Sequence, residues 1–417
     1  MVAGPRLSRW LCALVAGLSM AGAFADIAIV GGRVYTMESP EPLRDATVLI
    51  SDGRIEAVGT DIEAPFEYQQ IDATGKIVTP GLIESYSQLG LVEIWAEGTT
   101  VDSQVEEYAV GPSLDVSFAI NPASTLFAVN RMGGVTRAVV APVPGSDPFA
   151  GLGSTIRLGG DNTLVESRIA LFGDVTTSAA DFTGGSRAVL FQRLDDALEE
   201  AARFSPNRYR AEGNDYSRRD MTALKEFLRS GKPLVVRVDR AIDILRCIDL
   251  AESHGLRLVV LGGAEAWKVR EALGAARAAV ILSATTNLPT GFDALGARSD
   301  NAALLRESGV DVLYTGSETH NARNLRQLAG NAVANGVQWY DALDSLTRTA
   351  ALTWGMADAG VLRPGAEADV VVWSGDPFEV TTWAVHVSID GQLISNDSRQ
   401  TTLYERYRDL SLPYGLD

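Results

Sequence analysis

The stretch VTPGLIESYSQLG, residues 78–90, joins two short apolar runs through the pair Pro80-Gly81. Proline and glycine interrupt regular structure. The pair therefore predicts a joint, where the end of a surface strand runs into a buried strand. Side chains alternate along a strand, so Tyr86 and Gln88 share one face of the second strand. What these two side chains do at the end of that strand is the question that decides the function.

Both ends of the chain have the pattern of short β-strands. DIAIVGGRVYT, DATVLISDGRIEAVG and EYQQIDATGKIVTP precede the joint, and AEADVVVWSGDP and WAVHVSIDGQLIS lie near the other end. Turns are predicted at Gly31-Gly32, Asp52-Gly53, Gly75, Gly375 and Gly391. Because the termini of a domain often lie close together, we expect residues 26–80 and 361–399 to form one composite β-sandwich. Residues 400–417 are then a C-terminal tail.

The middle of the chain alternates between buried strands and amphipathic helices. KPLVVRVD, LRLVVLG, AAVILSA and VDVLYTG are apolar runs separated by helical patterns such as RAIDILRCIDLAESHG. This alternation predicts an α/β fold with a parallel sheet, and residues 81–360 suit a (β/α)8 TIM-like barrel. A doubly wound open sheet is the alternative, but no G-x-G-x-x-G follows a first strand.

Three segments of this middle part carry separate predictions. RAVLFQRLDDALEEAARF is predicted to be an amphipathic helix and SPNRYRAEGNDYSRR a polar loop, together a solvated insertion or a lid. PGSDPFAGLGSTIRLGG is rich in glycine but lacks the G-K-[ST] ending of a phosphate loop. We interpret it as an ordinary loop near the barrel mouth.

Residues 1–25 have the composition of a secretory signal peptide. Arg6 and Arg9 precede the apolar run WLCALVAGLSMAGAFA, and Ala23 and Ala25 form an A-x-A pattern before Asp26. The run is shorter than the roughly 20 residues of a membrane-spanning helix, which is the alternative. We therefore expect a periplasmic or secreted protein that is not bound to a membrane after cleavage. Only Cys247 would remain, so no internal disulfide is expected.

The chain is acidic, with a formal net charge of −17 over 417 residues. Such a field opposes binding to nucleic acid, whose phosphates attract basic proteins. A small-molecule ligand or another protein chain is the expected partner.

Three motifs together resemble the metal-dependent amidohydrolase superfamily, in its imidazolonepropionase- and dipeptidase-like branch. VTPGLIES is similar to the entry into the first barrel strand of that family, and MGGVTRAVVAP to its second βα unit. LTRTAALTWGMADAGVLRPGAEADVVVWSGDP resembles the exit from the barrel into the sandwich. The resemblance implies the barrel-plus-sandwich fold and hydrolysis of a carbon–nitrogen bond, in a non-peptide, cyclic amide or dipeptide-like substrate. It also implies a zinc-type centre at the carboxyl ends of the barrel strands, where metal-bound water is the nucleophile.

The positions that match the family's metal ligands carry other residues in this chain. Tyr86 and Gln88 stand in place of the H-x-H pair, and Arg237 stands in place of the fifth-strand histidine. Gly262 or Gly263 takes the sixth-strand position. Glu318, or Ser317 in the other register, takes that of the eighth-strand aspartate. The fourth-strand segment IALFGDV contains no lysine. We therefore expect a degenerate metal site with no cofactor, and we name no metal ligand.

Histidine is scarce in the chain, which has three in all. His254 ends a predicted helix, His386 faces outward from a predicted strand, and His320 lies near the active-site end of the barrel. One histidine does not build the centre that the resemblance implies. Glu84, Glu265 and Glu318 offer oxygens to a hard cation such as calcium or magnesium, but their spacing matches no known loop.

The candidate catalytic residues are therefore Glu318, His320 and Arg237. A guanidinium at Arg237 would balance the charge of Glu318 where a metal is missing, and extension of Arg237 into solvent is the alternative. A metal-free hydrolase would use His320 as general base and Arg237 to stabilise an oxyanion. No G-x-S-x-G motif indicates a serine nucleophile.

The candidate substrate-binding residues are Tyr86, Gln88, Asp239 and Glu265. Tyr86 and Gln88 either bind a ligand or fill the space of the missing metal. Two functional classes stay open: a hydrolase of carbon–nitrogen bonds, and a noncatalytic pseudoenzyme. The second would bind a ligand, form a homo-oligomer or support an intact amidohydrolase partner.

Overall fold

The computed structural model describes residues 26–105, 111–145, 147–160, 162–210, 215–316, 319–395 and 397–408. Its strands, in chain order, are β1 Ile27–Val34, β2 Leu43–Ser51, β3 Arg54–Gly59, β4 Gln69–Asp72, β5 Ile77–Pro80, β6 Leu82–Ser87, β7 Val135–Val140, β8 Phe149–Arg157, β9 Leu164–Asp174, β10 Leu234–Val238, β11 Leu258–Gly262, β12 Ala279–Leu282, β13 Val312–Tyr314, β14 Val370–Trp373, β15 Ala384–Ile389 and β16 Gln392–Ile394. The predicted signal segment lies outside the described residues.

Helices cover the strands of the middle part. They are α1 Leu126–Arg131, α2 Thr177–Phe182, α3 Arg187–Arg203, α4 Arg218–Ser230, α5 Ala241–Ser253, α6 Arg270–Ala275, α7 Asn301–Glu307, α8 Leu325–Ala334, α9 Trp339–Leu346, α10 Arg348–Thr353 and α11 Arg399–Tyr407. The helix predicted from RAVLFQRLDDALEEAARF is α3. Among the described residues, no helix is both long and apolar enough to cross a membrane.

The first sheet is built from both ends of the chain, as the sequence predicts. Its strands follow the order β16-β15-β14-β5-β1-β2-β3, and β4 also pairs with β1. The hairpin predicted at Asp52-Gly53 joins β2 to β3, with both turn residues at positive φ. The turn predicted at Gly31-Gly32 is wrong, because β1 runs through both glycines. A shift in its pairing with β2 begins there instead.

The second sheet is an eight-stranded, nearly closed barrel in the order β13-β12-β11-β10-β9-β8-β7-β6. The strands from β9 to β13 are parallel, which confirms the βα units predicted from their sequences. β8 is antiparallel to both of its neighbours. It comes from the segment that we interpreted as a loop, so that interpretation is wrong. Residues 141–148 and 158–163 are too few for the crossover that parallel neighbours need.

The Pro80-Gly81 joint connects the two sheets directly. β5 ends at Pro80, opposite Val370 of β14, and β6 begins at Leu82 in the barrel. A Cβ added at Gly81 would lie 2.1 Å from Oγ1 of Thr136, so only glycine fits at the joint. All four residues of β5 are buried, and this strand is therefore not the surface strand that we predicted.

The interior of the barrel is packed from its base toward its mouth. Ile83, Val235 and Ile281 form a buried apolar layer with Leu313. Below it, Trp354 follows α10 and stacks on Phe172, with ring centroids 6.5 Å apart. This filled base leaves the carboxyl ends of the strands as the face at which a ligand can approach.

Candidate active site at the barrel mouth

Tyr86 and Gln88 close the centre of the barrel mouth. Tyr86 packs against Phe172, with ring centroids 6.1 Å apart, so an aromatic column runs from Tyr86 through Phe172 to Trp354. Burial raises the pKa of the Tyr86 phenol, and the nearby charge of Arg237 partly opposes that shift. Gln88 is 2% exposed and lies against Tyr86. Its Nε2 is buried without a hydrogen-bond partner among the described residues.

Arg237 lies at the end of β10 on the interior face of the barrel, the same face as Val235. Its side chain is exposed at the mouth. Within the described part of the chain, no carboxylate oxygen comes within the 4.0 Å of an ion pair with Arg237. The guanidinium is therefore available to a ligand at the place where the resemblance implies a metal-binding histidine.

Two carboxyl groups flank Arg237, those of the buried Asp174 and the half-buried Asp239. Asp174 ends β9 directly opposite Arg237 in the strand pairing, and its Oδ1 accepts a hydrogen bond from the Thr176 N–H at 2.7 Å. Asp239 follows β10, and its Oδ1 accepts from the Ala264 N–H at 3.1 Å. Burial raises the pKa of both Asp174 and Asp239, and the charge of Arg237 partly lowers both values. Asp174 was missed from the sequence, although IALFGDV places an aspartate at a strand end.

A second cluster of charged side chains connects the loops around the mouth. Asp293, after β12, accepts hydrogen bonds from the N–H and the hydroxyl of Thr177, both at 2.7 Å. Arg187 of α3 pairs with Asp293 and lies 3.3 Å from Oδ2 of Asp243 on α5. Burial alone would raise the pKa of Asp293, but Thr177 and Arg187 leave it lowered. The sequence carried no signal for this cluster, since its members come from loops far apart in the chain.

Glu84 does not face the mouth as a free carboxylate. It is fully buried, and its oxygens accept hydrogen bonds from the N–H groups of Tyr86 at 3.2 Å and Gly316 at 2.9 Å. Thr315 donates its hydroxyl to the carbonyl of Tyr86 at 2.7 Å. These bonds connect β6 to the end of β13, the two edge strands of the nearly closed barrel. Burial raises the pKa of Glu84 to about 7.

Glu265 is likewise engaged by its surroundings. Its carboxylate accepts hydrogen bonds from Lys268 Nζ at 2.7 Å, the Gly296 N–H at 2.9 Å and the Ala241 N–H at 3.1 Å. Burial would raise the pKa of Glu265, but these partners lower it overall. The residue connects the loops after β10, β11 and β12, at the rim of the mouth rather than at its centre.

The remaining candidates lie at the end of β13 or away from the mouth. His320 begins a short 3₁₀ helix, His320–Asn324, and is exposed. Glu318 and Ser317 lie outside the described residues, so the pairing of Arg237 with Glu318 stays a prediction. His254 caps α5 and bonds to Asp195 through Nε2 at 2.7 Å, and His386 is exposed on β15.

A divalent metal does not fit the described residues of this centre. No group of three or more His, Cys, Asp or Glu side chains converges in the ranges that the structure describes. The side chain between Asp174 and Asp239 is a guanidinium, whose charge repels a dication at that place.

Comparison with known proteins gives a family for one part of the chain. Residues 310–395 match the Amidohydrolase family. Over 90 residues, the chain is 33% identical to "Amidohydrolase tasK" of Hapsidospora irregularis. That match covers 21% of this chain and 9% of the relative, so it spans only a small part of that protein.

Solved structures match nearly the whole fold. An amidohydrolase from Thermotoga maritima MSB8 superposes with a TM-score of 0.80 at 25% identity, covering 88% of this chain and 99% of that one. An adenosine deaminase from Xanthomonas campestris with bound zinc gives a TM-score of 0.52 at 17% identity, covering 92% and 97%. At 17% identity, the similarity to the adenosine deaminase shows a common fold and no more. The chain therefore has the fold of the amidohydrolase superfamily, and its residues 310–395 carry the pattern of the Amidohydrolase family.

Proposed function

We propose that this protein hydrolyses a carbon–nitrogen bond in a small cyclic amide or dipeptide-like compound at the barrel mouth. The observation that carries the proposal is the position of Arg237, exposed on the interior face between the buried Asp174 and the half-buried Asp239. Clusters of perturbed carboxyl groups at a barrel mouth are typical of active sites. The match of residues 310–395 supports a hydrolase as the general class.

In the proposed reaction, the residues of this chain do the work that a metal does in other members of the fold. Ionised Asp239, whose Oδ2 is the freer oxygen, takes a proton from water as the water oxygen attacks the carbonyl carbon. Arg237 donates hydrogen bonds to the oxyanion that forms. As the carbon–nitrogen bond breaks, Asp239 returns the proton to the leaving nitrogen. The products are a carboxyl group and an amine, on two molecules from a dipeptide-like substrate and on one ring-opened molecule from a cyclic amide.

Several finer features belong to the same proposal. We assign the protein to the imidazolonepropionase- and dipeptidase-like branch, with a substituted metal site and with residues 1–25 as a signal for export to the periplasm. The sequence motifs given above support the branch and the export signal. The donor set around Arg237 supports the substituted site, because a guanidinium stands where a metal ligand is expected.

Turnover by the purified full chain tests the reaction. Chelator-treated protein is incubated with five- and six-membered cyclic amides, N-acyl amino acids and dipeptides, and products are detected by mass spectrometry. We expect slow turnover that Arg237→Gln reduces by about 100-fold, as loss of an oxyanion donor does. Arg246→Gln, an exposed arginine on α5, is the matched control. Turnover that appears only after zinc is added, or that survives Arg237→Gln, would overturn the proposed mechanism.

A noncatalytic ligand-binding protein is the second candidate, and one observation favours it. Tyr86 and Gln88 are buried where the resemblance implies metal-binding histidines, so the centre of the mouth is filled with protein. In that case, the same compounds would bind without turnover, and Arg237→Gln would weaken binding alone. Calorimetric titration beside the turnover assay separates the two functions. If this chain supports a catalytic partner, turnover should appear when an intact amidohydrolase is added to it.

A further inference from the structure

A cavity of about 480 Å³ lies in the first sheet, next to the amino end of α9. None of its lining residues belongs to the barrel strands, so it is separate from the site proposed above. Its volume is within the range of small-molecule sites. Three cations line it, on neighbouring segments: Arg44 on β2, Arg33 on β1 and Lys76 directly before β5.

These cations lack carboxylate partners. Among the described residues, none of Arg33, Arg44 and Lys76 forms an ion pair within 4.0 Å. Lys76 donates one hydrogen bond, from Nζ to the carbonyl of Asp72 at 2.8 Å. In a chain with 53 acidic and 36 basic residues, carboxylates are plentiful. Three cations that form no ion pair among the described residues therefore line one cavity, and their charge attracts an anion.

The backbone beside the cations is irregular. Gly32 pairs with Ala46 and Val34 with Leu43, so the single residue Arg33 on β1 lies opposite two residues on β2. This is a β-bulge, which redirects side chains and is frequent next to binding sites. Within it, Asp45 has φ 52°, a conformation that non-glycine residues adopt at a cost. The bulge lets Arg44 reach the cavity beside Arg33.

An aromatic wall completes the cavity. Tyr35 and Trp339 both line it, with ring centroids 4.6 Å apart. Asp376 holds the indole in place by accepting from Trp339 Nε1 at 2.9 Å, and it also accepts from the Phe378 N–H at 2.9 Å. Its carboxylate is therefore engaged, which leaves Asp45 as the other acidic residue lining the cavity. Three cations against two carboxylates, Asp45 and Asp376, leave the lining with a net positive charge, which favours an anion.

We propose that this cavity binds a small phosphate ester that also carries a planar ring, as in a nucleoside monophosphate. The guanidinium groups of Arg33 and Arg44 fork hydrogen bonds to the phosphate oxygens. The ring lies against Tyr35 and Trp339.

Titration of the full chain with adenosine 5′-monophosphate tests the proposal by calorimetry and by tryptophan fluorescence. We expect saturable binding that weakens as salt rises. Adenosine, which has the ring alone, and ribose 5-phosphate, which has the anion alone, should each bind at least about tenfold more weakly. Ribose 5-phosphate binding as tightly as the nucleotide would overturn the role of the ring. The absence of saturable binding at millimolar nucleotide would overturn the site.

Variants locate the binding. Arg44→Gln changes an exposed side chain and should weaken nucleotide binding about tenfold, since a charge-assisted bond is lost. Trp339→Leu should weaken binding and remove the fluorescence response, and a thermal melt checks its folding. Arg246→Gln and Arg237→Gln remove an arginine elsewhere and should leave binding unchanged. If these two controls lose as much nucleotide affinity as Arg44→Gln does, the cavity is not the binding site. This outcome is independent of whether the barrel mouth shows turnover.

Discussion

At the scale of the residue, Glu84 shows how burial sets the charge of a group. Its carboxyl group is fully buried at the closure of the barrel, and burial raises its pKa from 4.5 to about 7. The folded state therefore holds this proton more tightly than the unfolded state does. The stabilising contribution is complete below pH 4.5 and is lost as the pH rises through 7.

Replacement of Glu84 by glutamine should remove this pH dependence. In the unsubstituted protein, ionisation of Glu84 between pH 4.5 and 7 should lower the free energy of unfolding by on the order of 3 kcal/mol. Each pKa unit is worth about 1.4 kcal/mol. Glu84→Gln should flatten that part of the curve, measured by urea unfolding at each pH. Glu226→Gln, at an exposed position on α4, is the control. If the unfolding free energy of Glu84→Gln depends on pH as steeply as that of the original protein, Glu84 is not the group responsible.

Gly81 is the second residue whose identity follows from its surroundings. Gly81→Ala should destabilise the fold by about 2–3 kcal/mol, because the new methyl group overlaps Thr136 at the joint between the sheets. Gly98→Ala is the matched control, since a Cβ at Gly98 has no heavy atom within 4 Å. Chemical unfolding of both variants measures the difference. Equal stabilities would mean that the joint adjusts to the methyl group.

At the scale of the element, a buried charge network attaches barrel strand β7 to the first sheet. Arg137 is 1% exposed and donates from Nε to Oδ2 of Asp369 at 2.6 Å, and it also pairs with Glu367. Asp369 in turn accepts from the Asp390 N–H at 2.9 Å. The network lies between β7, the residue before β14 and the turn after β15.

Arg137→Met should cost about 3–5 kcal/mol of unfolding free energy, because it leaves Asp369 buried without its cation. The double variant Arg137→Met/Asp369→Asn should recover part of that loss, since the uncompensated charge is removed as well. Urea unfolding of the single and double variants measures both changes. A loss below about 1 kcal/mol in the single variant would show that the network does little to attach the two sheets.

At the scale of the whole molecule, the charge of −17 sets the response to salt. Like charges repel one another most in the compact state, and salt screens that repulsion. Raising sodium chloride from 10 to about 300 mM should therefore raise Tm by a few degrees, measured by differential scanning calorimetry. A fall in Tm would mean that ion pairs such as that of Arg187 with Asp293 outweigh the general repulsion.

The sequence alone determined the features that depend on neighbouring residues. The Asp52-Gly53 hairpin, the apolar strands β10 to β13 and the Pro80-Gly81 joint were predicted because turn chemistry and hydrophobic periodicity act over a few residues. Tyr86, Gln88 and Arg237 were also found from the sequence, by resemblance to a family motif. Their burial and contacts were not.

Only the tertiary structure decided what depends on residues far apart in the chain. The direction of β8 follows from its pairing with β7 and β9, and a glycine-rich segment does not show that pairing. Asp174 faces Arg237 only because β9 and β10 are neighbours, although residues 175–233 separate them. The hydrogen bond from the Gly316 N–H to Glu84 likewise forms only because β6 and β13 come together in the folded barrel. The physical reason is that burial and charge act through space, and the closed barrel sets which side chains meet.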